Sequence, residues 1–269
     1  MQDLARHSQN IRRKIIETAG TRFSAHFGGS LSSVDVLSAL FGKIMNISAE
    51  KATDPNRDRF ILSKGHCALG LYAALNEFGF ISDEDLSTFD KDAGSFPTHC
   101  VQSCEKGIEI SSGSLGLGLS MAVGIALALK AKKSSAKVYV LCGNGEANEG
   151  IFWEAVMFAG VSELNNLILI LDNNKMQNDG FSKEVMDIKN WDERLKAFGW
   201  NICNVDGHNL EALINQLKTP SAKEPLAIIA STVKGKGVTF MENNPEWHHN
   251  KLSPEQYEKA LSEVSKTGE

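Results

Sequence analysis

The sequence predicts an α/β fold in which a doubly wound, mainly parallel sheet carries helices on both faces, laid out as one domain over residues 1–269. Three observations lead there. Two apolar runs, VYVLC at 138–142 and LILIL at 167–171, flank a helix-like segment, and each ends in a polar cluster, as in a βαβ unit. Downstream, strand-like and helix-like segments go on alternating. The composition, 42% hydrophobic and 23% charged over 269 residues, suits a soluble globular chain with one large core.

The elements follow in order. Leu4, Ile11, Ile15, Ile16 and Ala19 recur at helical spacing and predict an amphipathic helix from Asp3 to about Arg22. HFGGSLSS then reads as a break, with Ser32 or Ser33 capping a second helix, VDVLSALFGKIM, that ends at the polar turn DPNRD. RFILSKGH reads as a short strand feeding a helix through Tyr72 to Phe78, and Ser82 with Asp85 as the N-cap pattern of another short helix. From about Asp90 to Gly113 no period is sustained. In a compact domain such a stretch is functional or disordered, and this one holds His99 and leads into Gly-Ser-Leu-Gly before a helix. After the βαβ core, WDERLKAFG reads as helix, WNICNV as strand, NLEALINQLK as helix and PLAIIAST as strand. LSPEQYEKALSEV is a last helix, capped by Ser253 with Pro254 in its first turn.

Several function classes are excluded early. Net charge is -5 with Lys and Arg scattered, so no basic face invites nucleic acid. The longest apolar stretch, Leu115 to Lys130, is broken by Gly116, Gly118 and Gly124 and is too short to span a bilayer; MQDLARHSQN carries no signal region. Five cysteines without a CxxC pair suit free thiols in a reducing compartment, so a cytoplasmic location is expected. His99, Cys100 and Cys104 have a loose zinc-like spacing but lack a fourth ligand.

The chemistry concentrates at the βαβ unit. In a parallel sheet, Gly143-Asn144-Gly145-Glu146 and Asp172-Asn173-Asn174 fall at the carboxyl ends of their strands, on the edge where ligands bind. Oxygens of Asn144 and Asn174, with a nearby backbone carbonyl, suit a hard divalent cation, and Gly145 lets the backbone approach a phosphate. GNGEANEG lacks the Lys-Ser/Thr of a P-loop and the spacing of GxGxxG. Asp172 and Asn173 also fit as turn residues bonding their own backbone. Four histidines, His26, His66, His99 and His248, sit in loops or at helix starts, where imidazole moves protons or donates to an oxyanion near neutral pH.

GNGEANEG, WEA, FAG and LDNNKMQNDG resemble the amino-terminal half of transketolase, and the segment is similar to the thiamine diphosphate fingerprint of a Gly-Asp-Gly-Glu type turn followed roughly thirty residues on by a paired Asn. GGSLSSVDVL, DRFILSKGH, SGSLGLGLSMAVGIA and TVKGKG extend the resemblance over most of the chain. It implies the thiamine-diphosphate-binding fold, with thiamine diphosphate and Mg2+ (or Ca2+) as cofactors. The implied metal ligands are Asn144, Asn174 and Met176. Gly113, Leu115, Gly143, Gly145, Glu146, Glu149 and Asn174, with His66 and His248, would hold the cofactor. By the same resemblance His26 and His248 handle proton transfer and the donor's oxygen, His66 sits near the diphosphate, and His99 holds the donor's terminal hydroxyl. His249 takes the place of His248 if the match shifts by one residue.

Alternatives stay open at several positions. Ser114 stands where the family has Pro and could mark a helix cap; Glu149 could be a first-turn acid favoured by the helix dipole. Lys234 and Lys236 either approach phosphate or lie solvated in a glycine-rich loop. Asn144 stands where the family carries an Asp ligand. Losing that charge weakens metal binding roughly tenfold, since a bond to a charged group contributes about 1.5 to 3 kcal/mol against about 1 for a neutral one.

The family's activating glutamate comes from a second, pyrimidine-binding domain that this sequence does not contain. The resemblance therefore implies a two-component transketolase with a separate C-terminal subunit, in an α2β2 assembly, moving a two-carbon ketol unit from a ketose to an aldose. The rivals are a subunit of a 2-oxo acid dehydrogenase E1 or of a deoxyxylulose-phosphate-synthase-like enzyme, and a non-catalytic partner that binds cofactor weakly because of Asn144.

Overall fold

The structure, a computed structural model, describes residues 1–219 and 223–266; the remaining residues of the expected 1–269 domain lie outside the described ones. Five strands form one sheet: β1 (Arg59–Leu62), β2 (Val138–Gly143), β3 (Leu167–Asn173), β4 (Asn201–Asp206) and β5 (Leu226–Ser231). Their order is β1-β2-β3-β5-β4, and every pairing is parallel. The expected α/β architecture is the one that forms. Between β2 and β3 the register runs from Val138 opposite Leu167 to Gly143 opposite Asp172, which brings the two polar clusters to the same edge.

Eleven α-helices among the described residues cover the sheet: α1 (Gln2–Ala19), α2 (Phe27–Ser32), α3 (Val34–Ala39), α4 (Ala68–Glu77), α5 (Asp83–Ser87), α6 (Leu117–Ala131), α7 (Gly150–Val161), α8 (Ser182–Val185), α9 (Trp191–Ala197), α10 (Leu210–Leu217) and α11 (Pro254–Ser265). Strand side chains alternate between faces, so a sheet buried on both sides needs two cores. Phe60, Tyr139, Leu141, Ile168, Ile170 and Ile228 turn to one, completed by α1, α3, α4, α10 and α11. Ile61, Val140, Cys142, Leu169, Leu171 and Ile229 turn to the other, completed by α6, α7 and α9. No helix of the described residues is long and apolar enough to cross a membrane.

Two local expectations need correction. HFGGSLSS is not a break: Phe27–Ser32 is helical, and its glycines serve close packing. A Cβ at Gly29 would meet the Cys67 Sγ at 2.4 Å, and one at Gly28 the Lys234 side chain at 2.8 Å. Ser32 and Ser33 do not cap α3 either; both hydroxyls turn back onto the Gly29 carbonyl, at 3.1 and 2.7 Å. The caps expected at Ser82 and Ser253 form in full, each a capping box closed by Asp85 and Gln256 respectively. Ser114 is no cap; Gly116, at φ +84°, holds that position of α6.

Candidate active site

Four chain turns meet at the carboxyl edge of the sheet. The β1 end continues through Ser63 and Lys64 into a 3-10 turn, Gly65–Cys67, that carries His66. His26 is the residue before α2, His99 lies in the stretch between α5 and α6, and His248 follows the 3-10 turn Pro245–Trp247. These elements are brought together only by the fold. The His26 ring lies 5.1 Å from His66, 5.7 Å from His99 and 5.4 Å from His248, centroid to centroid, while His66 and His248 stack at 5.2 Å. His249 joins as a fifth ring, 4.4 Å from His26, while His248 and not His249 lines the adjoining cleft.

Beside the rings lies a cleft of about 300 Å³. His66, His99, His248, Gly113, Leu115, Gly143, Asn144, Gly145, Glu146, Asn174 and Met176 all line it. Glu149 does not: it is exposed at the start of α7. A larger cavity, about 610 Å³, lies over the ends of β3, β4 and β5 and shares Asn144 and Asn174, but it holds none of the four histidines. The smaller cleft is the candidate site.

A buried carboxylate organises its floor. Asp172 is 1% exposed, and it accepts hydrogen bonds from Lys64 Nζ (2.5 Å), Ser32 Oγ (2.7 Å), Asn174 Nδ2 (2.9 Å) and the Thr232 hydroxyl. Burial alone would raise its pKa and lower that of Lys64. Their mutual charge and hydrogen bond win, holding Asp172 below the usual carboxylate range and Lys64 above the usual ammonium value. With its nitrogen committed to Asp172, the Asn174 amide has a fixed orientation, and its Oδ1 accepts from the Met176 N–H at 3.1 Å. Asn144 matches it: oriented to satisfy its neighbours, its nitrogen donates to the Asp172 carbonyl oxygen (2.6 Å) and its oxygen accepts from the Lys175 N–H (2.9 Å). Each amide oxygen keeps a lone pair for a cation.

Glu146 works inward. Its carboxylate accepts from the Ser63 hydroxyl, the Gly116 N–H (2.8 Å) and the Gly143 N–H (3.1 Å), tying the α6 start to the β2 end, and burial raises its pKa. Lys234, expected at phosphate or in solvent, is 2% exposed and donates to the Gln177 carbonyl at 2.8 Å; burial lowers its pKa to about 8. Lys236 is the surface member, paired with Glu242 at 3.6 Å. Burial, reinforced by neighbouring positive groups, lowers His26 to about 3, His248 to about 4 and His66 well below its usual value. The three rings are neutral at pH 7.

The donor set fits a bound diphosphate. Gly143 and Gly145 keep the β2 turn free of side chains, Lys64 supplies positive charge, and a Cβ at Gly113 would press on the His99 ring at 3.3 Å. Buried His26 Nδ1 has no hydrogen-bond partner among the described residues. For a hard cation, Asn144, Asn174 and the Met176 carbonyl offer three neutral oxygens. Among the described residues no cluster of three or more His, Cys, Asp or Glu suits a metal. Sequence reasoning missed the Asp172 network, and it named His249 only as an alternative to His248. The lysine in SKGH was the one local signal, and burial of a lysine is not written in its neighbours.

Comparison with known proteins agrees with this geometry. Residues 5–264 match the family model described as transketolase, thiamine diphosphate binding domain. A 6-deoxy-6-sulfo-D-fructose transketolase subunit from Clostridium sp. (strain MSTE9) is 39% identical over 269 residues, covering 99% of this chain and 98% of that protein. An apulose-4-phosphate transketolase subunit from Phocaeicola vulgatus is 38% identical over 267 residues, covering 98% and 95%. The crystal structure of transketolase from Campylobacter jejuni superposes with a TM-score of 0.86 at 32% identity, over 98% of this chain and 42% of that one. The chain thus spans less than half of a single-chain transketolase and nearly all of the two subunits.

Proposed function

The chain belongs to the transketolase thiamine diphosphate binding domain family, and from that premise we propose that it is the diphosphate- and metal-binding subunit of a two-component transketolase. It moves a two-carbon ketol unit from a ketose or ketose phosphate to an aldose. A separate subunit supplies the pyrimidine-binding domain, in an α2β2 assembly, and residues 1–269 act as one diphosphate-binding domain. The observation that carries this reading is the ring of histidines around His26, set beside the cleft at the ends of β2 and β3. The subunit names of the two relatives favour ketol transfer over 2-oxo acid chemistry.

The Gly143–Gly145 turn and Lys64 would hold the diphosphate, with Asn144, Asn174 and the Met176 carbonyl holding Mg2+ or Ca2+. When bound, thiamine diphosphate supplies a thiazolium that stabilises negative charge on carbon, which no side chain here can do. The protein's own residues do the rest. His26 and His248 between them handle proton transfer and the donor's hydroxyl or carbonyl oxygen, His66 borders the diphosphate, and His99 holds the donor's terminal hydroxyl. Gly113 and Leu115 support the cofactor ring.

A partner subunit has physical support as well. On α6 and α7, which pack together, Leu117, Met121, Met157, Phe158 and Val161 are exposed, Val161 to 81%. Apolar surface of this kind marks a protein contact. The test is co-expression with the protein encoded beside it, followed by titration with thiamine diphosphate and Mg2+. Co-purification and cofactor binding by the pair are expected; a monodisperse chain that binds cofactor alone as well as with the partner contradicts the split-subunit reading.

A further inference from the structure

Every imidazole in the site poses the same question: which ring nitrogen carries the proton. For His248 the surroundings answer it. Lys234 Nζ lies 2.9 Å from His248 Nδ1 and 2.8 Å from the Gln177 carbonyl oxygen. An ammonium has three N–H donors and no acceptor. Nδ1 of His248 can therefore only accept in this contact. Burial and the neighbouring Lys234 charge keep the ring neutral at pH 7, with a pKa of about 4, so the ring holds one proton.

The lysine has little freedom to be elsewhere. Its stem lies over Gly28, where an added Cβ would meet Lys234 Cγ at 2.8 Å and Cε at 2.9 Å. The next residue, Gly235, has φ +80° and donates its N–H to the Gly28 carbonyl at 3.0 Å, pinning the 234–235 turn onto α2. A Cβ at Gly235 would collide with the Met241 carbonyl oxygen at 2.4 Å. The sequence pattern Val-Lys-Gly-Lys-Gly thus places one buried ammonium, and two glycines clear the path for it.

We propose that Lys234 is a positioning residue that locks His248 in the Nε2–H tautomer, so that His248 meets the substrate as a hydrogen-bond donor. Proton abstraction then falls to another ring. His26 and His66, 5.4 and 5.2 Å from His248 ring to ring and both neutral at pH 7, are the rings left for it. His248, which lines the cleft, is in this way given one role: it donates to the substrate oxygen and does not take the hydroxyl proton. The inference rests on the transketolase reading for the identity of the substrate, but the tautomer stands apart from it.

The test is 15N NMR of the full chain with labelled histidine at pH 7, the His248 signals being assigned by their absence in His248→Gln. In the wild-type chain His248 should show a protonated Nε2 and an unprotonated Nδ1. Lys234→Met, which keeps the stem and removes the donors, should give a mixture of tautomers, and Lys234→Arg should retain Nε2–H. In the reconstituted pair, Lys234→Met should lower kcat/KM roughly tenfold, the equivalent of one charge-assisted hydrogen bond, with partial rescue by Lys234→Arg. A protonated Nδ1 in the wild-type chain overturns the proposal, even if neither variant folds. So does an unchanged Nε2–H signal in Lys234→Met. Absence of ketol transfer by the wild-type pair, with the tautomer as stated, would instead overturn the functional reading and leave the lock in place.

Discussion

At the scale of single residues, charge decides how the cleft binds. Asn144 is 7% exposed, and in the proposed cation site its amide oxygen would be a neutral ligand where the family uses a carboxylate. Asn144→Asp adds a negative charge beside the cation position, and titration calorimetry with Mg2+ and thiamine diphosphate should show about tenfold tighter binding. Equal or weaker binding would refute this account of Asn144. Asp172 makes the opposite case. Asp172→Asn leaves Lys64 buried without its counter-charge, with the Gly29 carbonyl still accepting from it, which should cost about 3–5 kcal/mol in denaturant unfolding. The sequence named most of the cleft-lining residues because glycines and amides at strand ends have few other uses. It misjudged Asp172 as a turn residue because the partners that define its role lie far away, 108 residues for Lys64 and 140 for Ser32.

At the scale of elements, what was legible is what repeats. α1 shows its buried Leu4, Ile11, Ile15 and Ile16 at helical spacing, and α11 announces itself with Ser253 and Pro254. α2 has no such signature, because two adjacent glycines lower helix propensity and read as a break. Its helix exists through packing against Cys67 and Lys234, a tertiary cause. Gly29→Ala separates the two effects. Propensity alone would stabilise α2 by about 1 kcal/mol. The new Cβ would sit 2.4 Å from the buried Cys67 Sγ, and overpacking costs about 1–3 kcal/mol. A lowered melting temperature is expected; a raised one would mean the α2 packing described here is wrong. The stretch between α5 and α6 shows the same limit. It holds a 3-10 turn, Cys104–Lys106, and positions His99, with no periodicity to read.

For the whole molecule, the histidine ring couples folding to pH. His26 and His248 have folded pKa values of about 3 and 4, below the usual 6.5, so the unfolded chain binds more protons in between. Their contribution to stability is fully present above pH 6.5 and is lost as the pH drops toward 4. Melting temperatures measured across that range should decline steadily, and His248→Gln should flatten the decline. The alternation of strands and helices made the parallel sheet readable from sequence. The order β1-β2-β3-β5-β4 was not, because crossovers that exchange β4 and β5 leave no trace in local patterning.

The central claim is that this cleft, completed by a partner subunit, transfers a ketol unit. The most direct measurement is turnover by the reconstituted pair with thiamine diphosphate and Mg2+, comparing a panel of ketoses plus an aldose acceptor against a panel of 2-oxo acids. Ketose consumption with formation of a two-carbon-longer product is the expected result, abolished in His26→Ala. Decarboxylation of a 2-oxo acid without ketol transfer, or cofactor binding without turnover of any donor, would contradict it.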